Sequence, residues 1–330
     1  MKKFKKSMIS DIRLGIALTL AALFVFFFFW GHLERLEYGL YDINARLRVK
    51  PFAAPVSVIA IDEQSIANFG RWPWPRSYIA FMIDLLESYE AKVIGLDIMY
   101  SEKDINHGLI EVLNIITTIE NNPQYSKKNI STIVLLAALK DAERRLDNDS
   151  ILSNSIVMSK KVVLPLFFKL GNPIDKASVS LPDYLENNSL SPVFFASGSI
   201  TSREMVTPIT IYAKDALGFG HINIITDRDG IVRSEPLFIN YKDRLFPSFA
   251  LQLALKYFDF DLKDLQLGKK LKFNNKTIPI YGNNRMLIDF KRGIPYYSFY
   301  DVINKNIPPE AFKDKIVIIA LTTAGLGVMQ

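Results

Sequence analysis

Residues 56–100, VSVIAIDEQSIANFGRWPWPRSYIAFMIDLLESYEAKVIGLDIMY, decide the fold of this chain. Val56 to Ile61 is an apolar, largely β-branched run of strand length. Ser77 to Tyr89 puts Ile79, Met82, Ile83 and Leu86 at helical spacing. Lys92 to Tyr100 is a second buried strand. Strand, helix and strand within 45 residues predict a βαβ unit whose two strands are parallel neighbours. Each strand runs into an acid, Asp62 and Asp97.

Upstream, Leu14 to Trp30 carries no charge in seventeen residues. As a helix it spans about 26 Å at about 1.5 Å per residue, which predicts one transmembrane helix over 14–31. A cleaved signal peptide is the alternative, but the apolar core is long and Leu33, Glu34 and Arg35 stand where a small-residue cleavage site would be. Trp30 and His32 suit the outer interface. Lys2, Lys3, Lys5, Lys6 and Arg13 against Asp11 put +4 of the net +6 into residues 1–13. This basic tail is expected in the cytoplasm and the body outside it, a single pass through the inner (cell) membrane. Over 32–55 a juxtamembrane helix with Leu33, Leu36, Leu40, Ile43 and Leu47 at helical spacing packs on the domain and stops before Pro51 and Pro55.

Downstream, residues 105–160 read as mostly helical around a polar loop at 121–129, with Asp149 capping a helix that runs to about Ser159. Val162 to Phe168 is a third strand, which Pro165 assigns to an edge or makes irregular. Residues 171–200 are loop-rich. Phe219 to Ile225 is strand-like, and Asp229-Gly230 signals a hairpin before Ile231 to Asn240. Ser248 to Phe258 is helical, Asn274-Asn275 turns between two short strands, Arg285 to Phe290 is another strand, and Lys315 to Leu321 is a buried one. The expected fold is α/β, a mixed sheet with a parallel βαβ core and antiparallel additions, preceded by one transmembrane helix. Residues 56–330 form one extracytoplasmic domain.

The body beyond the tail is nearly neutral, which argues against nucleic acid as a partner. The chain has no cysteine, so disulfides and thiolate metal sites are excluded. It contains no phosphate-binding glycine loop and no HExxH, and its histidines, His32, His107 and His221, have no spacing that makes a triad or zinc site. His221, after Gly218-Phe219-Gly220, reads as structural. The densest constellation is Asp62, Glu63 and Ser65, then Arg71 to Arg76, then Asp97, Ser101, Glu102 and Asp104. Ligands of open parallel sheets bind beyond the carboxyl ends of the strands, where Asp62 and Asp97 would meet. Two such carboxylates could hold a hard cation or act as an acid–base pair. They could equally be structural, Asp62 capping a short helix through Ser65 and Asp97 pairing with Arg71 or Arg76. The stiff segment Arg71-Trp72-Pro73-Trp74-Pro75-Arg76 is either a recognition loop or a lid over the sheet end. Ligand-binding candidates are therefore Asp62, Ser65, Arg71, Trp72, Trp74, Arg76 and Asp97. No cofactor is expected, and the sequence leaves a metal undecided.

Several pieces taken in order, VIAIDEQSIANFGRWPWPR (58–76), GLDIMYSEKD (95–104), LGFGHINIITDRDGIVRSEPL (217–237) and KDKIVIIALTTAGL (313–326), resemble the type-two CHASE domain. Tyr41-Asp42, Arg46, Arg48, VVLPLFF (162–168) and Phe246-Pro247-Ser248 add to the match. Ala320 departs from it, standing where the family usually has Gly. The resemblance implies an extracytoplasmic sensor of a bacterial cyclase, histidine kinase or Ser/Thr kinase, followed by about three further membrane helices and a cytoplasmic output domain. With the chain ending at Gln330, it is expected to be a fragment, a trimmed piece or a stand-alone copy. Asp62, Ser65, Trp72, Pro73, Trp74, Arg76 and Asp97 are the family's recurrent positions to test.

The first reading is thus the input domain of a transmembrane signalling protein, not an enzyme, with the lipid membrane (through 14–31) and an unknown extracellular ligand as partners. A homodimer is left open. The alternatives are a membrane-anchored periplasmic metal-dependent hydrolase using Asp62 and Asp97, and a tethered partner-binding module.

Overall fold

A computed structural model describes residues 2–47, 51–122, 125, 129–172, 180–191, 200–268 and 270–323, with the side chains of 2–11, 28–35 and 283 excepted. Helix α1 is Lys2–Leu47. There follow β1 (Val56–Ile61), α2 (Glu63–Phe69), α3 (Ser77–Ser88), β2 (Val93–Asp97), α4 (His107–Asn121), α5 (Ile130–Leu146), α6 (Asn148–Ser159), β3 (Val162–Leu170), α7 (Asp183–Glu186), β4 (Ile200–Val206), α8 (Thr210–Ala213), β5 (Gly218–His221), β6 (Ser234–Pro236), β7 (Phe238–Tyr241), β8 (Arg244–Pro247), α9 (Phe249–Tyr257), β9 (Lys270–Phe273), β10 (Lys276–Pro279), β11 (Arg285–Leu287), β12 (Tyr296–Ser298), α10 (Phe299–Ile303) and β13 (Ile316–Leu321). Residues 53–288 with 294–330 make one compact unit. Residues 1–52 with 289–293 make another, in which Pro51 bridges to Arg292.

Helix α1 is 46 residues long and continuous through the region expected to hold a membrane span and a juxtamembrane helix. Among the described residues no helix is long and apolar enough to cross a membrane. The end of the expected span, residues 28–31, and with it Trp30, lies outside those whose side chains are described, as does His32. Most of the polar loop at 121–129, much of 171–200 and the final Ala324 to Gln330 also lie outside the described residues.

In the larger unit, among the described residues, a nine-stranded sheet runs in the order β12-β1-β13-β2-β3-β4-β7-β8, with β5 also paired to β3. β12, β1, β13, β2, β3 and β5 are parallel, and β4 and β8 add antiparallel pairings. The parallel strands read as continuous apolar runs because both faces are covered. Alternation of side chains sends Ile94, Val162, Leu164 and Val317 to one face, where they join Ile79, Ile83 and Leu86 of α3 and Leu152 and Ile156 of α6. It sends Val93, Val163 and Ile316 to the other, against Phe249 and Leu253 of α9.

The expected adjacency of β1 and β2 is corrected. Both are parallel, but β13 lies between them, with Ile316 paired to Val56 on one side and to Val93 on the other. A strand as uniformly apolar as IVIIAL is most stable where neighbours cover both of its edges, and the C-terminal segment takes that place. The edge reading of Pro165 is also corrected, because β3 is interior, while its irregular reading fits a strand that changes partner there. Leu217 N donates to Val162 O and Ile222 N to Leu166 O, so even-numbered residues of β3 face β5. Odd-numbered Pro165 faces the other side, where pairing with β2 ends at Val163, so its missing N–H breaks no ladder bond. Asp229-Gly230 does turn the chain, with Gly230 N donating to Asp227 O, but it joins no hairpin: β5 pairs with β3 and β6 with β11. The cap of α6 is Asp147, whose side chain accepts from Ser150 N, and not Asp149.

Gly220 is required for a close approach. A Cβ there would stand 2.4 Å from Phe249 Cα and 2.7 Å from the Ser248 carbonyl oxygen. These are backbone atoms at the start of α9, so no side-chain rotation relieves the clash. Gly220→Ala is expected to lower stability by about 2 kcal/mol, seen as a lower urea midpoint at unchanged slope.

Candidate functional site

Asp62 follows β1 directly and caps α2. Its carboxylate accepts from Ser65 N at 2.9 Å, Ser65 Oγ at 2.6 Å and Ser298 Oγ at 2.9 Å, while Ser65 Oγ in turn accepts from Tyr300 N at 3.1 Å. Burial pulls this carboxyl upward, but the hydrogen bonds from Ser65 and Ser298 outweigh it and hold Asp62 below the usual carboxylate range. The capping reading of Asp62 and Ser65 is therefore what the geometry supports. Asp62→Ala is expected to cost about 1–2 kcal/mol, with the difference shrinking as acid titrates Asp62 through its lowered folded value, which a pH series of unfolding curves would show.

The proline-rich segment divides its residues between scaffold and surface. Trp74 is 5% exposed, donates Nε1–H to Gly70 O at 2.8 Å, and packs its ring against Phe69 and Phe299 at 5.3 Å each. Trp72 is half-buried, with its ring 5.4 Å from that of Trp74. Arg71 is exposed. The Trp72–Pro73 peptide bond is cis.

The pairing of Asp97 with Arg76 that the sequence offered is corrected: Arg76 is held instead by a buried network. Its Nη1 donates to Asp149 and, at 2.9 Å, to the Tyr212 hydroxyl, and its Nη2 donates to the Glu102 carbonyl. The Tyr212 hydroxyl donates to Asp149 at 2.6 Å, Asp104 N donates to the same carboxylate at 3.0 Å, and Asn148 Nδ2 donates to Asp104 at 2.8 Å. The guanidinium lies 4.8 Å from the centre of the Tyr100 ring. Burial opposes its charge, but the hydrogen bond to Tyr212 and the charge of Asp149 more than offset this, so Arg76 stays firmly protonated. Asp149 serves this network because Asp147 takes over the cap.

Between these parts lies an open cavity of about 980 Å³, walled by the Trp72–Arg76 segment, the chain leaving β2 from Asp97 to Asp104, the start of α4, Asn148, and Leu321 at the end of β13. It sits beyond the carboxyl ends of parallel strands β2 and β13, the place such sheets offer a ligand. Of the residues singled out in the sequence, Trp72, Trp74, Arg76 and Asp97 line it; Asp62, Ser65 and Arg71 do not. With β13 between them, β1 and β2 run two strand spacings, about 10 Å, apart, and Asp97 lies level with Ala60, two residues short of Asp62. The Asp97 carboxylate has no hydrogen bond or ion pair among the described residues, and burial alone pushes it above the usual range. The Tyr100 hydroxyl is buried without a partner, and burial raises it too. Among the described residues no group of three or more His, Cys, Asp or Glu is placed to hold a metal ion.

A family model described as the CHASE2 domain matches residues 18–329. The chain belongs to the CHASE2 family. No curated protein and no solved structure matches it. CHASE2 domains are sensory, not catalytic, modules. The cavity of this CHASE2 domain also draws on Tyr100, Asp104 and Asn148, with Asp149 and Tyr212 behind its wall; reading the sequence had missed the roles of all five. Only Asp104 lies inside the acidic constellation; Asp149 reads in the sequence as a helix cap, and the other three carry no local signal. His221 is fully buried away from the cavity, and burial pushes it down to about 3, so it is a neutral core residue.

Proposed function

We propose that this CHASE2 domain is the extracytoplasmic input domain of a bacterial transmembrane signalling protein, anchored by residues 14–31, and that the cavity at the ends of β2 and β13 receives its ligand. The observation that carries the reading is the family match, which begins at residue 18, within the apolar stretch, and runs to residue 329. The anchor is supported by α1 itself: from Leu14 to Phe27 it exposes Leu14, Ile16, Leu18, Leu20, Leu23, Phe24 and Phe27 around the helix, which water disfavours and lipid accepts. The basic tail supplies the cytoplasmic flank.

The mechanism is a population shift. A ligand that binds one arrangement of the cavity wall better than another moves the domain toward that arrangement by its differential affinity and no more. Helix α1, unbroken from 2 to 47, is the element that carries the shift toward the membrane. Fractionation tests the anchor. The full chain is expected to stay in the membrane pellet after an alkaline carbonate wash, and a chain lacking residues 1–31 to leave it. Release of the full chain by carbonate would overturn the anchored reading.

A further inference from the structure

We infer that the cavity takes a small organic cation, its ammonium group seated on Asp97 and over the ring of Trp72. The inference rests on the reading of this cavity as the input site and names the ligand class. Of the charged side chains in the wall that are not fully exposed, Asp97, half-buried at the end of β2, is the one whose carboxylate has no hydrogen bond or ion pair among the described residues. A half-buried carboxylate without a protein partner is partly desolvated, and a cation that arrives with the ligand relieves that cost. The one buried cation of the wall cannot serve an anionic ligand instead. Arg76 has its donors on Asp149, Tyr212 and the Glu102 carbonyl, and its charge is matched by Asp149.

Two further features suit the same ligand. Trp72 is half-buried in the wall and offers an aromatic face, the surface that attracts ammonium groups. Tyr100 is also in the wall, and its buried hydroxyl has no hydrogen-bond partner among the described residues. Lys103 and His107 are exposed at the rim, where water screens them. A volume of about 980 Å³ is the size of a small-molecule pocket.

Calorimetric titration of the full chain in a neutral detergent, with putrescine, 1,4-butanediol and succinate, varies the charge of one four-carbon frame. Putrescine is expected to bind best. Asp97→Asn is expected to weaken it at least tenfold without lowering the melting temperature, because the amide removes a buried charge. Tyr100→Phe serves as a second variant, expected to weaken putrescine a few-fold with the fold intact. Tighter binding of butanediol or succinate, or putrescine affinity unchanged in Asp97→Asn, would overturn the cation class. If that other ligand is then lost in Trp72→Leu, the cavity still stands as the input site. Failure of putrescine to bind wild type also overturns the inference, whereas the anchored sensor is judged separately by the carbonate wash.

Discussion

Replacing Arg76 with Met is expected to destabilise the larger unit by about 3–5 kcal/mol, the cost of stranding a buried carboxylate. Arg76 and Asp149 have side chains only 9% and 13% exposed. Removing the guanidinium leaves Asp149 with Tyr212 and the Asp104 N–H but with no positive charge. It also leaves the Glu102 carbonyl without its donor, so the 97–104 segment loses its tie to Arg76 at the start of α3. Urea unfolding measures the loss. The double variant Arg76→Met, Asp149→Leu is expected to recover part of it, since an apolar pair of similar volume carries no uncompensated charge. A loss below about 1 kcal/mol in the single variant would mean that the network does not hold the wall of the cavity.

The second large effect is a pH dependence centred on Glu235. Burial in β6 pushes its carboxyl from the ordinary 4.5 to about 7, with the Ser248 hydroxyl offsetting part of the rise. A carboxyl raised in the folded state binds its proton more tightly there than in the unfolded chain. Its contribution to stability is therefore complete below pH 4.5 and is lost as the pH rises to about 7. Each tenfold gain in proton affinity is worth about 1.4 kcal/mol, so the loss amounts to about 3 kcal/mol. Glu235→Gln is expected to abolish this slope and to be the more stable protein at about pH 7.5. His221, neutral in the fold but protonated in the unfolded chain below about 6.5, adds an opposite slope up to that pH; it is common to both proteins and cancels in their difference. Unfolding midpoints of the two proteins between about pH 4.5 and 7.5 check the result, and parallel curves would contradict it.

The elements that show up in the sequence are those whose signal is local. VSVIAI, the helix from Ser77 and IVIIAL fall within one residue of the bounds that their periodicity suggests, and Asn274-Asn275, both with positive φ, turns β9 into β10. Lys242 and Asp243 adopt the same backbone between β7 and β8 but lack the Asn-Gly signature, so that hairpin is not legible. Strand order is not local either. Nothing within 56–100 says that a strand more than two hundred residues later will enter between β1 and β2. The site follows the same rule. Asp62 and Ser65 are three apart and their cap can be read, whereas Arg76 and Asp149 are 73 apart and meet only through packing. Asp97 draws notice by ending a strand, but its lack of a partner is visible only once Arg76 has been placed elsewhere.

In the anchored sensor the domain lies outside the cytoplasm and the N-terminal tail within it, and topology is the most direct test of that. The chain has no cysteine, so single cysteines can be labelled without background. In intact spheroplasts, a membrane-impermeant maleimide is predicted to label Lys263→Cys, on an exposed turn of the domain, at once. It is predicted to label Ser7→Cys only after lysis. Labelling of Ser7→Cys before lysis, or protection of Lys263→Cys until lysis, would contradict the anchored sensor.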